Sequence, residues 1–403
     1  MTEALVIGAG PAGLMAAGTI AEAGHRVILT EAMPTPARKF LMAGKSGLNL
    51  TMDEPDERFR QNISLGSGGC PPPHPQGYFS QDESRFGPAE VMGWARGLGI
   101  ELFTGSTGRV FPVGMKASPL LRAWLARLRR AGVDLRTRWR WRGFDGDGYG
   151  FETPDGYRVL RPDAVVLALG GASWPRLGSD AAWVPFLTAR DVGVAPFRPA
   201  NMGIRINWSG KMAPFFGQPV KGTALHAGER TSRGEWVISA QGIEGGGVYS
   251  VASAIRDGAL GRLDLAPDLD EAVLAKRFSV PRGKLSVGNW LRRVLGNPVK
   301  VALLLEWGQT LPRDPEDWAR RVKSLPVHHE GPMGLERAIS SAGGIRLDAL
   351  TPSLEIRGLP GVFAAGEMLD WEAPTGGYLI THCLGQGLLA GQAAADYLAA
   401  ARR

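Results

Sequence analysis

Apolar runs and helix-like stretches follow one another along this chain in an order that marks strands joined by helices. "EALVIG", close to the start, is a short β-rich apolar run, and "AGLMAAGTIAEAG" reads as a helix ending at Gly24. "HRVILTE" is a second strand, ending in Glu31. Much further on, "DAVVLALGG" is a buried strand running into Gly170 and Gly171, and "GVFAAGEMLD" repeats the theme with Gly366, Glu367 and Asp370 at its end. The stretch "GEMLDWEAPTGGYLI" then leads into a last helix. In the middle, strand-like "EWVISAQ" alternates with helix-like "VYSVASAIR", "DEAVLAKRF" and "EDWARRVKSL". Strand, tight turn, helix, strand is the opening of an α/β fold.

Composition bounds that picture. With 403 residues the chain exceeds one ordinary core, so two domains of unequal size are expected. No run of about 18 apolar residues occurs, and no charged leader precedes the first apolar stretch, so neither a membrane span nor an export signal is expected. The expected compartment is the cytoplasm. Cys70 and Cys383 stand far apart without metal-ligand spacing, which predicts free thiols, no disulfide scaffold and no metal site. The formal charge of +7 raises the question of a nucleic-acid partner. The densest basic cluster, Arg122 to Arg142, falls on a helix and strand whose tryptophans and leucines read as packing residues, and it is not expected to be a nucleic-acid surface.

The chemistry starts at "GAGPAG". Gly8, Gly10 and Gly13 have GxGxxG spacing between a strand and a helix: the first for a sharp turn, the second for approach of a pyrophosphate, the third for close helix–strand packing. Pro11 and Ala12 open the helix, whose first amides and positive end favour an anion. Glu31, at the end of the second strand, stands at the offset of a carboxylate that grips a ribose hydroxyl. An adenine dinucleotide is therefore expected, with NAD and FAD both open at this point. In "ARKFLMAGKSGLNLT", Arg38, Lys39 and Lys45 lie among glycines and are followed by Asn49 and Thr51, a set suited to diphosphate or to a flavin ring.

Taken together, "VIGAGPAGLMAA", "ARKFLMAGKSGLNLT", "GRVFPVGMKAS", "LALGGASWPRLGS", "GIEGGGVYS" and "GVFAAGEMLDWEAPTGGY" make the whole chain resemble the HI0933-like, BaiN-type flavoproteins. The resemblance implies FAD, in a Rossmann-like domain built from both chain ends, residues 1–195 and 339–403. It also implies an inserted β-barrel-like domain, residues 196–338, carrying a helical excursion over about 266–325. By the same resemblance the cofactor contacts include Ala32 beside Glu31, Trp141 on a strand over Val133 to Trp141, and Gly170 and Gly171. Gly366, Glu367 and Asp370 would meet the ribityl and pyrophosphate region. Pro374, Thr375, Gly376, Gly377, Tyr378 and Leu379 would lie against the flavin ring.

Two departures from the family pattern matter. Where members read GGRCN, this chain has "KSGLN", so Gly47 and Leu48 replace arginine and cysteine. Where members have a histidine and a serine, it has Ala240 and Glu244 in "SAQGIEGGG". Glu244 and Tyr249, one helical turn on, become the catalytic candidates together with His382, read as beginning the last helix near the flavin. The competing readings are a helix-capping acid, a packed tyrosine and a packing histidine.

The expected activity is FAD-dependent oxidoreduction of a small molecule. No second strand–GxGxxG–helix unit is present for NAD(P)H. Either NAD(P)H visits the flavin transiently and an unsaturated or carbonyl compound is reduced, or a small amine reduces the flavin and oxygen takes the electrons. A flavin-bound partner in RNA modification and a non-catalytic flavin sensor complete the readings. Oligomeric state is not legible.

Overall fold

The computed structural model describes residues 2–45, 47–66 and 86–401, so Cys70 lies outside the described residues. The chain divides into two compact units, one made of residues 1–198 and 340–403 and the other of residues 199–339.

The first unit is organised on a five-stranded parallel sheet. Its strands are β1 (Glu3–Ile7), β2 (Arg26–Glu31), β3 (Asp134–Thr137), β4 (Ala164–Leu167) and β5 (Val362–Ala364), in the order β5-β4-β1-β2-β3. Val6 lies opposite Leu29 on one side and Val166 on the other. This is the Rossmann-like sheet expected from the glycine motif, and β5 comes from the far end of the chain. Every residue of Ala4–Ile7 and of β4 is buried, which explains why these strands read as unbroken apolar runs. A parallel sheet is covered on both faces, so no alternation is needed.

Helix α1 (Pro11–Glu22) starts with proline at its first position, where a missing N–H costs nothing. It stops two residues before Gly24, whose φ of +87° closes the helix end. Helix α2 (Tyr378–Ala400) packs directly on α1. A Cβ on Gly387 would lie 2.3 Å from the Ala12 carbonyl oxygen, and one on Gly391 would lie 2.9 Å from Ala16 Cα. Glycines one turn apart thus let the last helix press against the first, and they hold the two chain ends together.

The stretch expected as one strand over Val133 to Trp141 is two. Arg138, with φ +61°, breaks it into β3 and a strand Arg140–Asp145. The latter begins a three-stranded antiparallel meander completed by Gly148–Thr153 and Gly156–Leu160. The arginine-rich helix Ala117–Arg130 buries Leu120, Leu121, Trp124 and Leu128 and turns its arginines outward.

The second unit has its own core and two four-stranded antiparallel sheets. One contains Ile204–Arg205, Gly242–Glu244, Trp236–Ser239 and Pro219–Val220. The other contains Arg230–Ser232, Ala224–Ala227, Gly261–Asp264 and Leu325–Pro326. Four helices, Glu271–Phe278, Val287–Leu295, Pro298–Trp307 and Pro315–Lys323, lie between the last two of these strands in the sequence. No helix among the described residues is long and apolar enough to cross a membrane.

Candidate functional site

In the first unit, the β1–α1 turn uses its three glycines in different ways. Gly8 has φ +105°, and a Cβ there would fall 2.3 Å from the Ala168 carbonyl oxygen. A Cβ on Gly13 would fall 1.8 Å from the Gly8 carbonyl oxygen. Both are therefore fixed by the fold. Gly10 is different: it is extended (φ −80°, ψ −177°), and a Cβ there would meet nothing within 4 Å. Helix α1 has no side-chain cap, so open space adjoins a helix start that offers the amides of Ala12 and Gly13.

Glu31 ends β2 beside this turn. Its carboxylate accepts from the Ala9 amide at 3.2 Å and the Met33 amide at 2.8 Å. Burial pushes its carboxyl above the ordinary range, against the pull of those two amides and of the Arg140 and Arg38 charges. The acid thus braces the glycine turn, and a carboxylate with two amide donors retains lone pairs for a ribose. Ala32, next in the chain, is half-buried. Arg140 itself pairs with Asp180 at 2.9 Å, a contact between distant residues that no local motif announces.

Three buried side-chain atoms among the described residues have no hydrogen-bond partner: Arg38 Nε, Asn49 Oδ1 and Trp141 Nε1. Arg38 lies close enough to Glu31 to act on its titration. Trp141 follows Arg140, and the preceding Trp139 amide donates to the Glu31 carbonyl at 2.9 Å. The Trp141 ring packs against Phe144 and Phe186. Asn49 stands two residues before Thr51, which underlies the start of α2. Two donors and one acceptor, buried and unmatched, are costly unless a polar group meets them.

Lys39 and Glu367 are joined. Lys39 Nζ donates to Glu367 at 2.5 Å and to the Ser173 hydroxyl at 2.8 Å, while the other Glu367 oxygen accepts from the Ser341 amide at 2.9 Å. Gly171 is small because a Cβ would lie 2.1 Å from Ser341 Oγ, and Gly170 (φ +73°) backs on Ser179. Gly366 has φ +86° and would press its Cβ to 2.9 Å from that of Ala12. The side of Gly366 on which a Cβ would stand faces α1. Asp370 is buried, its amide bonded to the Ile345 carbonyl. Lys45 is exposed, with its carbonyl accepting from Lys116.

The segment before α2 is also tied down. Trp371 is buried and donates to the Gly366 carbonyl at 2.9 Å, and it pairs with Leu65 as a short strand. Pro374 and Thr375 are half-buried, whereas Gly376 and Gly377 are buried with φ of +136° and +92°. A Cβ on Gly377 would lie 2.4 Å from Thr51 Cα. Tyr378 stacks on Phe59 at 4.9 Å and donates to Glu54 at 2.7 Å. Leu379 is half-buried.

Because α2 begins at Tyr378, His382 stands in its second turn and not at its start. Its ring meets Trp371 edge-on at 4.4 Å, and its Nε2 lies 3.0 Å from Gln386 Nε2. Gln386 also accepts from the Gly366 amide through its oxygen, so its nitrogen donates to His382 and the imidazole proton sits on Nδ1. Burial lowers the His382 pKa to about 4, and the Cys383 thiol is pushed up to about 12 for the same reason. Both groups are neutral at pH 7.

In the second unit, Glu244 ends a strand and pairs with Arg337 at 3.2 Å, while Arg337 also holds Gln241. Tyr249 lies in the first turns of the Gly246–Arg256 helix, and burial raises its pKa. The Arg337 partner is 93 positions away and carried no local signal. Among the described residues no group of three histidine, cysteine, aspartate or glutamate side chains is placed to hold a metal.

A family model described as the HI0933-like protein Rossmann domain matches residues 2–393. The chain is 28% identical to the 3-dehydro-bile acid delta(4,6)-reductase of Clostridium scindens, over 97% of this chain and 98% of that protein. It is 23% identical to the ribosomal RNA dihydrouridine synthase of Escherichia coli, over 93% and 94%. Among solved structures, the 3-ketosteroid-delta4-(5alpha)-dehydrogenase of Rhodococcus jostii superposes with a TM-score of 0.47 at 17% identity, over 99% of this chain and 97% of that one.

Proposed function

The chain belongs to the HI0933-like family, and on that premise we propose that it is an FAD-dependent oxidoreductase reducing a carbon–carbon double bond conjugated to a carbonyl, with NAD(P)H as transient reductant. The observation that carries the FAD reading is the coincidence of open space at Gly10 with three unmatched buried polar atoms, on Arg38, Asn49 and Trp141. When bound, FAD supplies a two-electron centre that takes and returns hydride at N5.

The side chains have separable tasks in this reading. The amides at the start of α1 hold the pyrophosphate, and Glu31 accepts from the adenosine ribose. Arg38 Nε and Trp141 Nε1 donate, and Asn49 Oδ1 accepts. The Lys39–Glu367–Ser173–Ser341 network fixes the Gly366 turn to the strand Ser340–Ile345. The amide end of α2 favours negative charge. Reducing an alkene needs a hydride at one carbon and a proton at the other. Tyr249, kept protonated, is the proposed proton donor, and Glu244, oriented by Arg337, is proposed to position the substrate. Glu244→Gln should slow turnover without loss of flavin, and an unchanged rate would return Glu244 to a structural role.

The two curated relatives favour this chemistry over amine oxidation, since both names denote reductions. The test is anaerobic: NADH or NADPH should bleach the flavin, and a cyclic enone should restore its colour. Bleaching by an amine but not by NAD(P)H would establish the oxidase instead. A second reading has the same reduction performed on a uracil ring within RNA. It is favoured by the relative that acts on ribosomal RNA and by the net charge of +7. Gain of two hydrogens by uridines in RNA incubated with enzyme and NAD(P)H is its test.

A further inference from the structure

The longest acid-free run of cations in the second unit lies on its helices. Residues 272–305 contain seven lysines and arginines and no acid. Its seven cations equal in number the chain's excess of 46 cations over 39 acids, and residues 102–133 of the first unit hold six cations, also without an acid.

One of the seven, Lys300, is turned inward onto the carbonyls of Gly222 and Leu265. The other six, Lys276, Arg277, Arg282, Lys284, Arg292 and Arg293, are exposed, and none has an acidic partner among the described residues. In the Arg122–Arg142 region Arg127 pairs with Glu22, Arg136 with Asp134, Arg140 with Asp180 and Arg142 with Glu152, while Arg122, Arg129 and Arg130 are exposed.

The six cations stand on a firm base. The helices Glu271–Phe278 and Val287–Leu295 are locked by Phe278 against Trp290 (5.4 Å) and Trp318 (5.7 Å), with Trp290 edge-on to Trp318 at 5.5 Å. Trp290 also donates to the Val280 carbonyl at 3.1 Å, which pins the connecting loop. Helix C-termini favour cations, which accounts for Lys276, Arg277, Arg292 and Arg293 singly. It accounts neither for Arg282 and Lys284 in the loop nor for the absence of acids. Mutual repulsion among six unpaired cations is relieved by a polyanion. The exposed large apolar side chains of this stretch are Val273 and Val280, too little for a bilayer, and the tryptophan is turned inward, away from base stacking.

We propose that this face of the second unit docks RNA through its phosphates, a surface that deepens the RNA reading above and supplies the contact that reading needs. The probe is a fluorescein-labelled RNA hairpin, titrated with the flavin-loaded full chain and followed by anisotropy. With six cations each releasing about 0.7–0.9 counterion, affinity should fall about 300- to 2000-fold between about 50 and 200 mM salt. Arg292→Glu/Arg293→Glu should weaken binding at least about tenfold and flatten the salt slope by about 1.4 or more. Arg129→Glu/Arg130→Glu, on the other unit, should leave it unchanged. Should the charge reversal perturb folding, Arg292→Gln/Arg293→Gln carries the same sign with a smaller loss. Wild-type binding by both of these Arg292/Arg293 variants, or capture of phosphatidylserine vesicles but not RNA, overturns the docking face. If RNA binding fails while NAD(P)H still bleaches the flavin, the face is lost and the reductase stands. If RNA binds to a chain that takes up no flavin, the reverse holds.

Discussion

Substituting Gly10 separates the needs of the fold from the needs of a ligand. A Cβ at Gly10 meets no protein atom within 4 Å, and its φ of −80° and ψ of −177° suit any residue. Gly10→Ala therefore introduces no clash. It gains about 0.4–1 kcal/mol by restricting the unfolded chain, and loses up to about 1 kcal/mol because alanine is a poorer helix N-cap. Stability without ligand should stay within about 1 kcal/mol of the parent. The new methyl stands where a pyrophosphate would approach the α1 amides, and each charged hydrogen bond lost costs about 1.5–3 kcal/mol. FAD affinity should fall at least about tenfold, read by quenching of flavin fluorescence as apoprotein is titrated. Gly13→Ala is the contrast: its Cβ would lie 1.8 Å from the Gly8 carbonyl oxygen, and the fold itself should lose at least about 1–3 kcal/mol by thermal unfolding. Parental FAD affinity in Gly10→Ala, or an apoprotein as unstable as Gly13→Ala, would refute the assignment.

Three further outcomes follow from the packing. Lys39→Met should destabilise the protein by about 2–3 kcal/mol in a denaturant titration, because it strands the largely buried Glu367 carboxylate; Lys39→Arg should recover part of the loss. Gly387→Leu should lower the melting temperature sharply, since Gly387 has no room for a Cβ beside the Ala12 carbonyl, whereas Gly288→Ala, with nothing within 4 Å, should not. His382 has its pKa lowered from 6.5 to about 4, so it contributes stability above pH 6.5 that is lost as pH falls toward 4. The whole shift would carry about 3 kcal/mol, and partial solvent access to the ring makes the loss smaller. His382→Asn should flatten stability between pH 6.5 and 4, and an unflattened profile would show that another group titrates there.

The parallel sheet was legible because its strands announce themselves. Ala4–Ile7 and Ala164–Leu167 are apolar throughout, each preceded by an acid and leading toward a glycine turn, so both their type and their burial follow from the residues. Pairings between distant residues were not legible. Lys39 meets Glu367 and Glu244 meets Arg337, contacts 328 and 93 positions apart, and no spacing rule reaches that far. The packing of Gly387 and Gly391 on Ala12 and Ala16 is hidden for a related reason: a small residue shows that something comes close, not what. At Gly366 a Cβ would meet Ala12. Trp371 is a buried brace on the Gly366 carbonyl, a role that no motif announces. Residues 272–305, with seven cations and no acid, were passed over because the charge question was put to the Arg122–Arg142 cluster.

The central claim, that this chain carries FAD, is tested most directly by the chromophore of the purified protein. The account predicts a yellow protein with flavin absorption, from which denaturation releases intact FAD at close to one equivalent per chain. A colourless protein that takes up no FAD on reconstitution, or one that releases only a nicotinamide dinucleotide, would contradict it.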